Sequence, residues 1–420
     1  MKPGSQLVLP LALAAIAVSQ ACATTAVGAI PSAGAVDTAA YVDSSRVARL
    51  PVNQRGPWQR YLARSAELQR ADRALIDVEL RDRGLARMVH APDVRHSFTV
   101  AKYMAGDWFR TEPGRRFAAS MLSFQTPSGG WSKHVDYSAG PRAPGMSFFS
   151  ENDSWSFIAT IDNNSTTEQV RFLARAYDET SEERYRASLL RAFDYLFAAQ
   201  YPNGCWPQVY PLSGGYHDAA TFNDDATVNV LKILRDVGRG RLAKAAVSEE
   251  LRGRAAAAMQ RGIDCLLAAQ VVVGGRRTIW GQQQDPLTLA PVRARSYEHA
   301  ALAGESAGIT GFLMDVRDPS AGVVEAVHAA VDWFKAHAVR GVDYDPDKGV
   351  VESPGAGPVW ARMSEIGTNR PIFSNRDGVI LYDYKKLTDR ATGYAWFTRE
   401  PAAVLAEYER WALRHPRVKS

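Results

Sequence analysis

Two short segments of this chain concentrate carboxylate and amide side chains. TIDNNSTT contains Asp162 and Asn163, and TFNDDATVN contains Asp224 and Asp225. Each segment comes directly before a stretch with helical spacing, where one side-chain oxygen can cap a free backbone N–H group. A cap needs only one oxygen, and the surplus carboxylates and amides are the ligands that calcium prefers. The spacing therefore leaves two interpretations open, namely two independent helix caps or one cation site shared by both segments.

Arginine side chains gather in predicted loops of the last third of the chain. These residues are Arg293, Arg295, Arg370, Arg376 and Arg390. Loop arginines are normally solvated or paired with nearby acids such as Glu298 and Asp377. A group of guanidinium side chains opposite a cation site also suits a polyanion, because each guanidinium can grip a carboxylate through two hydrogen bonds. The arginines are therefore candidate binding groups for an acidic polymer.

The sequence lacks the motifs of several other chemistries. It contains no G-x-S-x-G, H-E-x-x-H, C-x-x-C or G-x-G-x-x-G pattern. The eight histidines are scattered, and only His134 and His217 come near the segments above. A glycoside hydrolase needs two separated carboxyl groups as acid and base. The obvious pair here, Asp224 and Asp225, consists of adjacent residues, whose side chains point apart.

The composition is that of a globular protein with a basic balance. Of the 420 residues, 46% are hydrophobic and 23% are charged, which is enough apolar sequence for a large core. The formal net charge of +5 and the isoelectric point of about 9.0 fit an anionic partner. No run of lysine and arginine reaches the density of a nucleic-acid patch. We therefore expect an acidic polysaccharide and no nucleic acid as partner.

The first 23 residues have the pattern of a secretory signal peptide. Lys2 gives a basic start, residues 7–18 are apolar, and Ala21-Cys22-Ala23 resembles a cleavage site. The apolar run is too short to span a membrane. Lipid attachment at Cys22 is disfavoured because Ser19 stands where an aliphatic residue is preferred, so we expect a secreted or periplasmic protein. Residues 24–45 are expected to be a flexible tether, and residues 46–420 a single domain that works as a monomer.

Two cysteines remain after the signal peptide. Cys205 and Cys265 could pair in an oxidising compartment, or they could be two buried free thiols. The sequence leaves both states open.

A repeated pattern indicates the architecture. RFAASMLSFQ, RAFDYLFAAQ and RGIDCLLAAQ end at Gln125, Gln200 and Gln270, and each is followed by glycine and then by a tryptophan. The repeats are far enough apart for two helices each. We predict that each glutamine bonds open carbonyl groups at a helix end, that the glycine supplies a positive φ, and that the tryptophan packs against the next helix pair.

Helical spacing between the repeats supports this architecture. Residues 167–177, 186–199, 226–237 and 323–338 place apolar side chains on one helical face, whereas alternating β-branched runs are scarce. The prediction is a mainly α protein in which helix hairpins wind round a centre as an α/α toroid. The glycine turns would lie together at one end, with Trp206 as a sugar-stacking wall beside TFNDDA.

The order of the motifs resembles that of a known family. GGWSKHVD, TIDNNSTTEQ, QYPNGCWPQVYPL, TFNDDA, ARSYE, GTNRPIF, RDG and TGYAWF follow one another between about residues 75 and 412. This series is similar to that of the family 10 polysaccharide lyases, which are pectate lyases. The resemblance implies an (α/α)₃ barrel and calcium-dependent β-elimination of polygalacturonate, giving 4,5-unsaturated oligogalacturonates.

The resemblance also implies roles for individual residues. Asp162 and Asp224 would serve the calcium ion with Asn163 nearby, and Asp225 joins them as a ligand on the argument from spacing. Arg295, in ARSYE, would be the base that removes the C5 proton. The implied binding groups for uronate carboxylates are Lys133, Arg370, Arg376 and Arg390.

Three positions depart from the family pattern. Cys205 and Asn164 stand where glycine is usual, and Ser296 stands where alanine is commoner. None of these departures removes a charged group, so we expect an active enzyme.

Two other classes of protein fit parts of the sequence. A carbohydrate-binding protein without catalytic activity could use the ten tryptophans and sixteen tyrosines as stacking surfaces. The repeat ending at Gln200 and Trp206 also resembles the QW repeat of triterpene cyclases, which are α/α toroids. Those enzymes use a D-x-D-D motif, and Asn223-Asp224-Asp225 lacks its first aspartate. The absorbance of unsaturated uronate products separates the lyase from both alternatives.

Overall fold

Ten α-helices form the framework of the computed structural model, which describes residues 42–94, 98–100, 106–149, 159–292, 301–345 and 347–417. The described residues belong to one compact unit of the chain. The prediction of a mainly α protein is confirmed. The helices are α1 (Ser44–Val47), α2 (Val52–Arg83), α3 (Glu112–Ser123), α4 (Thr167–Thr180), α5 (Glu183–Ala199), α6 (Ala226–Gly238), α7 (Glu249–Ala269), α8 (Ala303–Met314), α9 (Ala321–Ala336) and α10 (Glu400–Arg414).

Short antiparallel strands connect the helices. In chain order they are β1 (Ala159–Thr160), β2 (Val209–Tyr210), β3 (Ala220–Thr221), β4 (Gln270–Val273), β5 (Arg276–Trp280), β6 (Gln283–Gln284), β7 (Pro291–Val292), β8 (Ala301–Leu302), β9 (Val342–Asp345), β10 (Gly349–Glu352), β11 (Trp360–Ala361), β12 (Met363–Ser364), β13 (Phe373–Ser374), β14 (Ile380–Leu381) and β15 (Phe397–Thr398). They pair as β1–β2, β3–β6–β7, β4–β5, β8–β12, β9–β10, β11–β15 and β13–β14.

The helices pack as successive hairpins. Helix α4 packs against α5, α6 against α7, and α8 against α9, while α10 lies against α8. Helix α6 also contacts both α4 and α8, so these three helices are neighbours. The apolar stripe of α6 explains its position, because Val230, Leu231 and Leu234 are fully buried. The four segments predicted to be helical are confirmed in α4, α5, α6 and α9.

The repeated glutamines join one hairpin to the next. The Gln200 side-chain amide donates to the carbonyl groups of Gly204 and Ala258, both at 2.9 Å. Gln125 and Gln270 make the same pair of contacts, one to the turn that follows and one to the next hairpin. The predicted bonding to open carbonyl groups at a helix end is therefore wrong, because the acceptors lie in the segment that follows each glutamine and within α5, α7 and α9.

The repeated arginine belongs to the same connection. Arg261 donates to the Gln200 Oε1 atom at 2.6 Å, and Arg191 donates to Gln125 Oε1. Each arginine thus holds the glutamine of the preceding repeat, because that glutamine reaches the helix on which the arginine lies. This linkage explains why arginine and glutamine recur together.

Cys205 and Cys265 form a disulfide bond, so of the two states left open by the sequence the paired one occurs. Their Cα atoms are 5.4 Å apart, and both side chains are buried. The bond ties the turn after α5 to α7, which are also linked by the hydrogen bond from Arg261 to Gln200.

A smaller apolar cluster supports the loops of the last third of the chain. It is centred on Phe373, Trp396 and Phe397 and is separate from the main core. The strands β9 to β15 surround this cluster. Trp396 of this cluster donates its indole N–H to the Arg390 carbonyl oxygen at 2.8 Å and so positions that segment.

A buried carboxyl group in α2 should make stability depend on pH. Asp72 has no exposed surface and accepts a hydrogen bond from Ser128, and burial raises its pKa from 3.8 to about 6. Because the folded-state pKa exceeds the unfolded value, its contribution to stability is lost as pH rises through about 6. The unmodified protein should therefore lose about 2 kcal/mol of unfolding free energy between pH 4.5 and pH 8 through this group. We expect the Asp72→Asn variant to lack this loss.

Denaturant unfolding at the two pH values measures this effect. The control is Asp77→Asn, which removes an exposed carboxylate from the same helix. A pH dependence that is the same in the Asp72 variant and in the unmodified protein would contradict the prediction.

Candidate active site

Two loops with the same backbone form the centre of the site. Asp162–Asn164 and Asn223–Asp225 are short 3₁₀ turns; the first ends two residues before α4 begins, and the second leads directly into α6. In the first loop Asn163 and Asn164 have φ values of 49° and 64°, and in the second Asp224 and Asp225 have 49° and 57°. Asn and Asp tolerate this left-handed conformation better than most residues. The repeated backbone therefore accounts for the amides and carboxylates at these positions.

The loops do not cap their helices in the predicted way. Thr166 and Asp225 occupy the N-cap positions of α4 and α6, but neither side chain forms a cap hydrogen bond within the described residues. Their φ values are 62° and 57°, whereas a capping residue normally has extended backbone. Thr166 instead donates to the Thr160 carbonyl oxygen at 2.8 Å. The prediction of two independent caps is wrong, so the carboxylates are not used for capping.

Asp162 is held in a buried ion pair. Its Oδ2 atom lies 2.8 Å from Lys133 Nζ, and the two residues are 2% and 7% exposed. Lys133 also donates to Asn163 Oδ1 at 3.3 Å. The second carboxylate oxygen, Asp162 Oδ1, is buried without a hydrogen-bond partner among the described residues. Such an oxygen costs free energy in the folded protein and marks a place where a ligand can supply the missing contact.

Asp224 brings the two loops together. Its Oδ2 atom accepts hydrogen bonds from Asn223 at 2.9 Å and from Asn163 at 3.4 Å. Its Oδ1 atom lies 3.4 Å from Arg362 Nη2. The contact with Asn163 crosses from one loop to the other, so Asp162, Asn163 and Asp224 are neighbours.

Four tryptophans in the described chain position the residues that face these loops. The indole N–H groups of Trp131, Trp206, Trp280 and Trp360 each donate to a carbonyl oxygen of the preceding helix, at 2.7–2.8 Å. For three of these tryptophans, the residue two positions further along the chain contacts one of the two loops. These contacts are Lys133 with Asp162, Gln282 with Asn223 at 2.8 Å, and Arg362 with Asp224. The fourth such residue is Gln208, which accepts a hydrogen bond from Gln283.

This regularity identifies a residue that the sequence prediction missed. Arg362 was absent from the predicted site because only three repeats were recognised. Trp360 belongs to a fourth turn of the same kind, without the glutamine that marks the others. Counting two positions from that tryptophan would have found Arg362.

A cavity of about 240 Å³ opens beside Asp224. Acidic and basic side chains line it, namely Asp224, Asp225, Glu305, Arg362 and Glu400. The pKa of Glu305 is raised to about 7, mainly by burial and to a smaller extent by Asp224 and Asp225, whereas Arg362 opposes the shift. The sequence prediction also missed Glu305. It could have been noticed as the single acidic residue of AGESAGITGFLM, a helix made mostly of small and apolar residues.

Asp225 lies on the α8 side of the second loop. A Cβ atom at Gly308 would come within 2.4 Å of Asp225 Oδ1, so any larger residue there would force the Asp225 carboxylate to move. The pKa of Asp225 is raised to about 6, mainly by burial; Lys232 opposes the shift, and Glu400 and Asp224 add to it. Asp225 thus lines the cavity beside Asp224.

The late arginines occupy different environments. Arg390 is 7% exposed and lies 3.8 Å from the ring centre of Tyr394, which Arg362 also approaches at 4.8 Å. Arg390 is therefore linked to the cavity through Tyr394. Arg370 and Arg376 are exposed on and beside the β13–β14 hairpin, and Arg370 stacks on Tyr382 at 4.0 Å.

One predicted binding residue is wrong, and another lies outside the described residues. Trp206 has no exposed surface, and its indole donates to Leu196 at 2.8 Å. It cannot offer a face to a sugar, so the stacking role is incorrect. Arg295 falls in residues 293–300, which are outside the described ranges.

The oxygen donors fit a hard cation. Asp162, Asn163 and Asp224 supply carboxylate and amide oxygens, and Asp162 Oδ1 is a buried oxygen that a cation would satisfy. In the described part of the chain, no three histidine, cysteine, aspartate or glutamate side chains are close enough to hold a metal by themselves. The fit therefore requires further oxygen ligands from a bound molecule or from water.

Comparison with known proteins identifies the chain as a polysaccharide lyase. Residues 125–405 match the model of the pectic acid lyase family, and the chain belongs to that family. This membership in an enzyme family decides against a protein that only binds carbohydrate and against a triterpene cyclase.

Solved structures agree with this assignment. The chain is similar to the family 10 polysaccharide lyase from Cellvibrio cellulosa, at 30% sequence identity and a TM-score of 0.64. The match covers 75% of this chain and 96% of that one. An aspartate-to-alanine mutant of the Cellvibrio cellulosa enzyme, in complex with trigalacturonic acid, matches with the same values. No curated protein sequence matches the chain.

Proposed function

We propose that this enzyme cleaves polygalacturonate by calcium-dependent β-elimination, with Arg295 as the base, and releases 4,5-unsaturated oligogalacturonates. The observation that carries the proposal is the buried Asp162 carboxylate, whose Oδ1 atom has no hydrogen-bond partner among the described residues, beside Asn163 and Asp224. Family membership and the trigalacturonic acid bound to the Cellvibrio cellulosa mutant support the choice of substrate.

Asp162, Asp224 and Asp225 are the proposed calcium ligands from the protein. When bound, calcium would neutralise the substrate carboxylate next to C5 and thereby make the C5 proton more acidic. The protein holds these acids in place before substrate arrives: Lys133 fixes Asp162 at 2.8 Å, and Asn163 links the first loop to Asp224. Preorganised charges of this kind need no rearrangement during the reaction.

Basic side chains are the proposed contacts to the uronate carboxylates. Arg362 lines the cavity, 3.4 Å from Asp224 and 3.5 Å from Glu305. We assign carboxylate binding to it and to the predicted set of Lys133, Asn163, Arg370, Arg376 and Arg390. A guanidinium group suits this role because its planar fork matches the two oxygens of a carboxylate.

Arg295 is the proposed base for the C5 proton. A guanidinium group is normally protonated, and nearby cations favour its neutral form. Substrate carboxylates oppose that effect, so proton removal should become efficient only in alkaline solution. The electrons of the broken C5–H bond form the C4–C5 double bond, and the 4-linked sugar leaves with a proton supplied by water.

The proposed architecture is an (α/α)₃ toroid made of the hairpins α4–α5, α6–α7 and α8–α9. The contacts of α6 with both α4 and α8 support it.

We assign residues 46–420 to this catalytic domain, which acts as a monomer, residues 24–45 to a tether and residues 1–23 to a signal peptide. None of the described helices is long and apolar enough to cross a bilayer. Secretion or export to the periplasm is consistent with the disulfide of Cys205 and Cys265, which requires an oxidising compartment.

An absorbance assay tests the proposal. The enzyme is mixed with polygalacturonate in buffers of increasing pH, with added calcium or with a chelator. We expect unsaturated uronate to accumulate with calcium, to stop accumulating with the chelator, and to form fastest in alkaline buffer. Shortening of the polymer without new absorbance would indicate hydrolysis, and a maximum in mildly acidic buffer would refute the arginine base.

A further inference from the structure

A second cavity, of about 250 Å³, opens at the opposite end of α6. The candidate active site lies before the first residue of this helix, whereas the second cavity is lined by Arg235 and Arg239 at its end. Helix α6 has 13 residues, which separates the two cavities by roughly 20 Å at 1.5 Å per residue. The second cavity is therefore a separate site.

This cavity combines an apolar floor with a cationic rim, and we call it the arginine pocket. Met259, Ile263 and Val316 contribute to the floor, and Arg235, Arg239 and Arg317 contribute to the rim. The carboxylate of Asp318 also lines it. Three chain segments assemble the pocket: the end of α6 supplies Arg235 and Arg239, α7 supplies Met259 and Ile263, and the connection between α8 and α9 supplies Arg317.

The positive charges in the pocket are crowded. Burial lowers the pKa of Arg239, and the neighbouring charges of Arg235, Arg241 and Arg317 lower it further. Asp315 opposes this shift but is the last of the causes. The folded protein thus bears the cost of holding like charges together, and an anion in the pocket would reduce that cost.

The carboxylates of the protein neutralise only part of the positive charge of these arginines. Arg235 forms ion pairs with Asp236 at 2.9 Å and with Asp315 at 3.1 Å. Arg239 donates to the Asp315 carbonyl oxygen at 3.0 Å. Across the described ranges, no carboxylate lies within 4.0 Å of the guanidinium nitrogens of Arg239 or Arg317. Attraction to a helix C-terminus explains Arg235, but it falls off within the last turn and does not extend to Arg317.

We propose that the arginine pocket is a second carboxylate-binding site, which holds one uronate unit of the acidic polysaccharide about 20 Å from the catalytic centre. The proposal rests on the proposed function for the identity of the polymer. A uronate unit offers a carboxylate to the guanidinium groups of Arg239 and Arg317 and C–H groups to the apolar floor. The volume is below the roughly 300–1,000 Å³ of pockets for drug-sized ligands and suits a single sugar ring.

A second site of the enzyme that binds the same polymer would raise the local concentration of substrate at the catalytic centre. Once one uronate unit is bound in the arginine pocket, another part of the same chain reaches the catalytic centre in an intramolecular step. The pocket should therefore lower the KM for a long polymer without changing kcat. A trimer is too short to occupy both sites and should gain nothing.

The double variant Arg239→Gln, Arg317→Gln tests the proposal by steady-state kinetics. We expect its KM for polygalacturonate to rise about 3- to 10-fold with kcat unchanged, because two charge-assisted contacts are lost. The kinetics on trigalacturonic acid should not change. The matched control is Arg115→Gln, Arg186→Gln, which removes the same charge from two exposed ion pairs elsewhere. An unchanged KM for the polymer, or an equal rise in the control, would overturn the proposal.

Electrophoresis through gels containing polygalacturonate gives a test that does not depend on turnover. With calcium chelated, the unmodified protein and the control variant should be retarded more than the pocket variant, and equal retardation of all three would count against the site. Inorganic phosphate serves as a probe for a simple anion site. If phosphate binding is lost in the pocket variant while polymer retardation is kept, the uronate assignment is wrong. Absence of unsaturated product from the unmodified protein would refute the lyase proposal without affecting the gel result.

Discussion

Replacing Asp162 by asparagine is expected to lower kcat/KM on polygalacturonate by at least about 100-fold, since even residues that support metal ligands change affinity or activity by 10–100-fold. The substitution removes the charge that forms the 2.8 Å ion pair with Lys133 and weakens the proposed cation site. Size and backbone preference are kept, because asparagine resembles aspartate in both. The calcium concentration that gives half-maximal activity should rise together with the loss of activity.

Two further measurements separate this effect from a general loss of structure. Calorimetric titration with calcium and trigalacturonic acid should show weaker calcium binding in the Asp162→Asn variant, whatever its residual activity. Asp218→Asn is the control, because Asp218 is another buried carboxylate, held by the N–H groups of Ser213 and Gly214. If calcium dependence were the same in the Asp162 variant and in the unmodified protein, Asp162 would not be a ligand.

Replacing Arg295 by alanine should lower kcat by about 10²- to 10⁴-fold, the usual contribution of a general base. The reason is chemical: without the base, the C5 proton has no positioned acceptor even when the substrate carboxylate is neutralised. The affinity for trigalacturonic acid, measured by calorimetry, should remain nearly constant. Arg295→Lys should show partial activity with a pH profile that differs from that of the unmodified enzyme.

The neighbouring arginine provides the matched control for this prediction. Arg293→Ala removes the same charge from the same segment and should change KM more than kcat. A loss of trigalacturonic acid binding in Arg295→Ala, with normal turnover of the substrate that still binds, would make Arg295 a substrate clamp and not the base.

The local patterns of the sequence predicted the framework well. Gln200 and its two equivalents do recur as structural residues, although they bond the following turn and the next helix pair, and helical spacing placed α4, α5, α6 and α9 correctly. These predictions succeeded because each depends on residues close in sequence or on a repeat of one structural unit. Asp162 and Asp224 were also recognised, because a surplus of carboxylates in a turn is visible in the sequence.

Contacts between distant segments and backbone conformation were harder to predict. The interpretation of the two segments as helix caps failed because Thr166 and Asp225, which occupy the N-cap positions, adopt positive φ values that their residue types did not indicate. Trp206 appeared to be a surface for sugars because aromatic residues at a turn can be exposed or buried, and only the packed helices determine which. Arg362 and Glu305 approach Asp224 from segments that are remote in sequence.

The two loops of the site have one further consequence for engineering. At three equivalent positions, one loop has aspartate where the other has asparagine. The pairs are Asp162 and Asn223, Asn163 and Asp224, and Asn164 and Asp225. Aspartate and asparagine have nearly the same shape, and both accept the left-handed conformation. Negative charge can therefore be moved one position at a time, within a loop or between loops, on an unchanged scaffold. The chain thus offers a set of isosteric exchanges for changing the cation preference of the proposed calcium site.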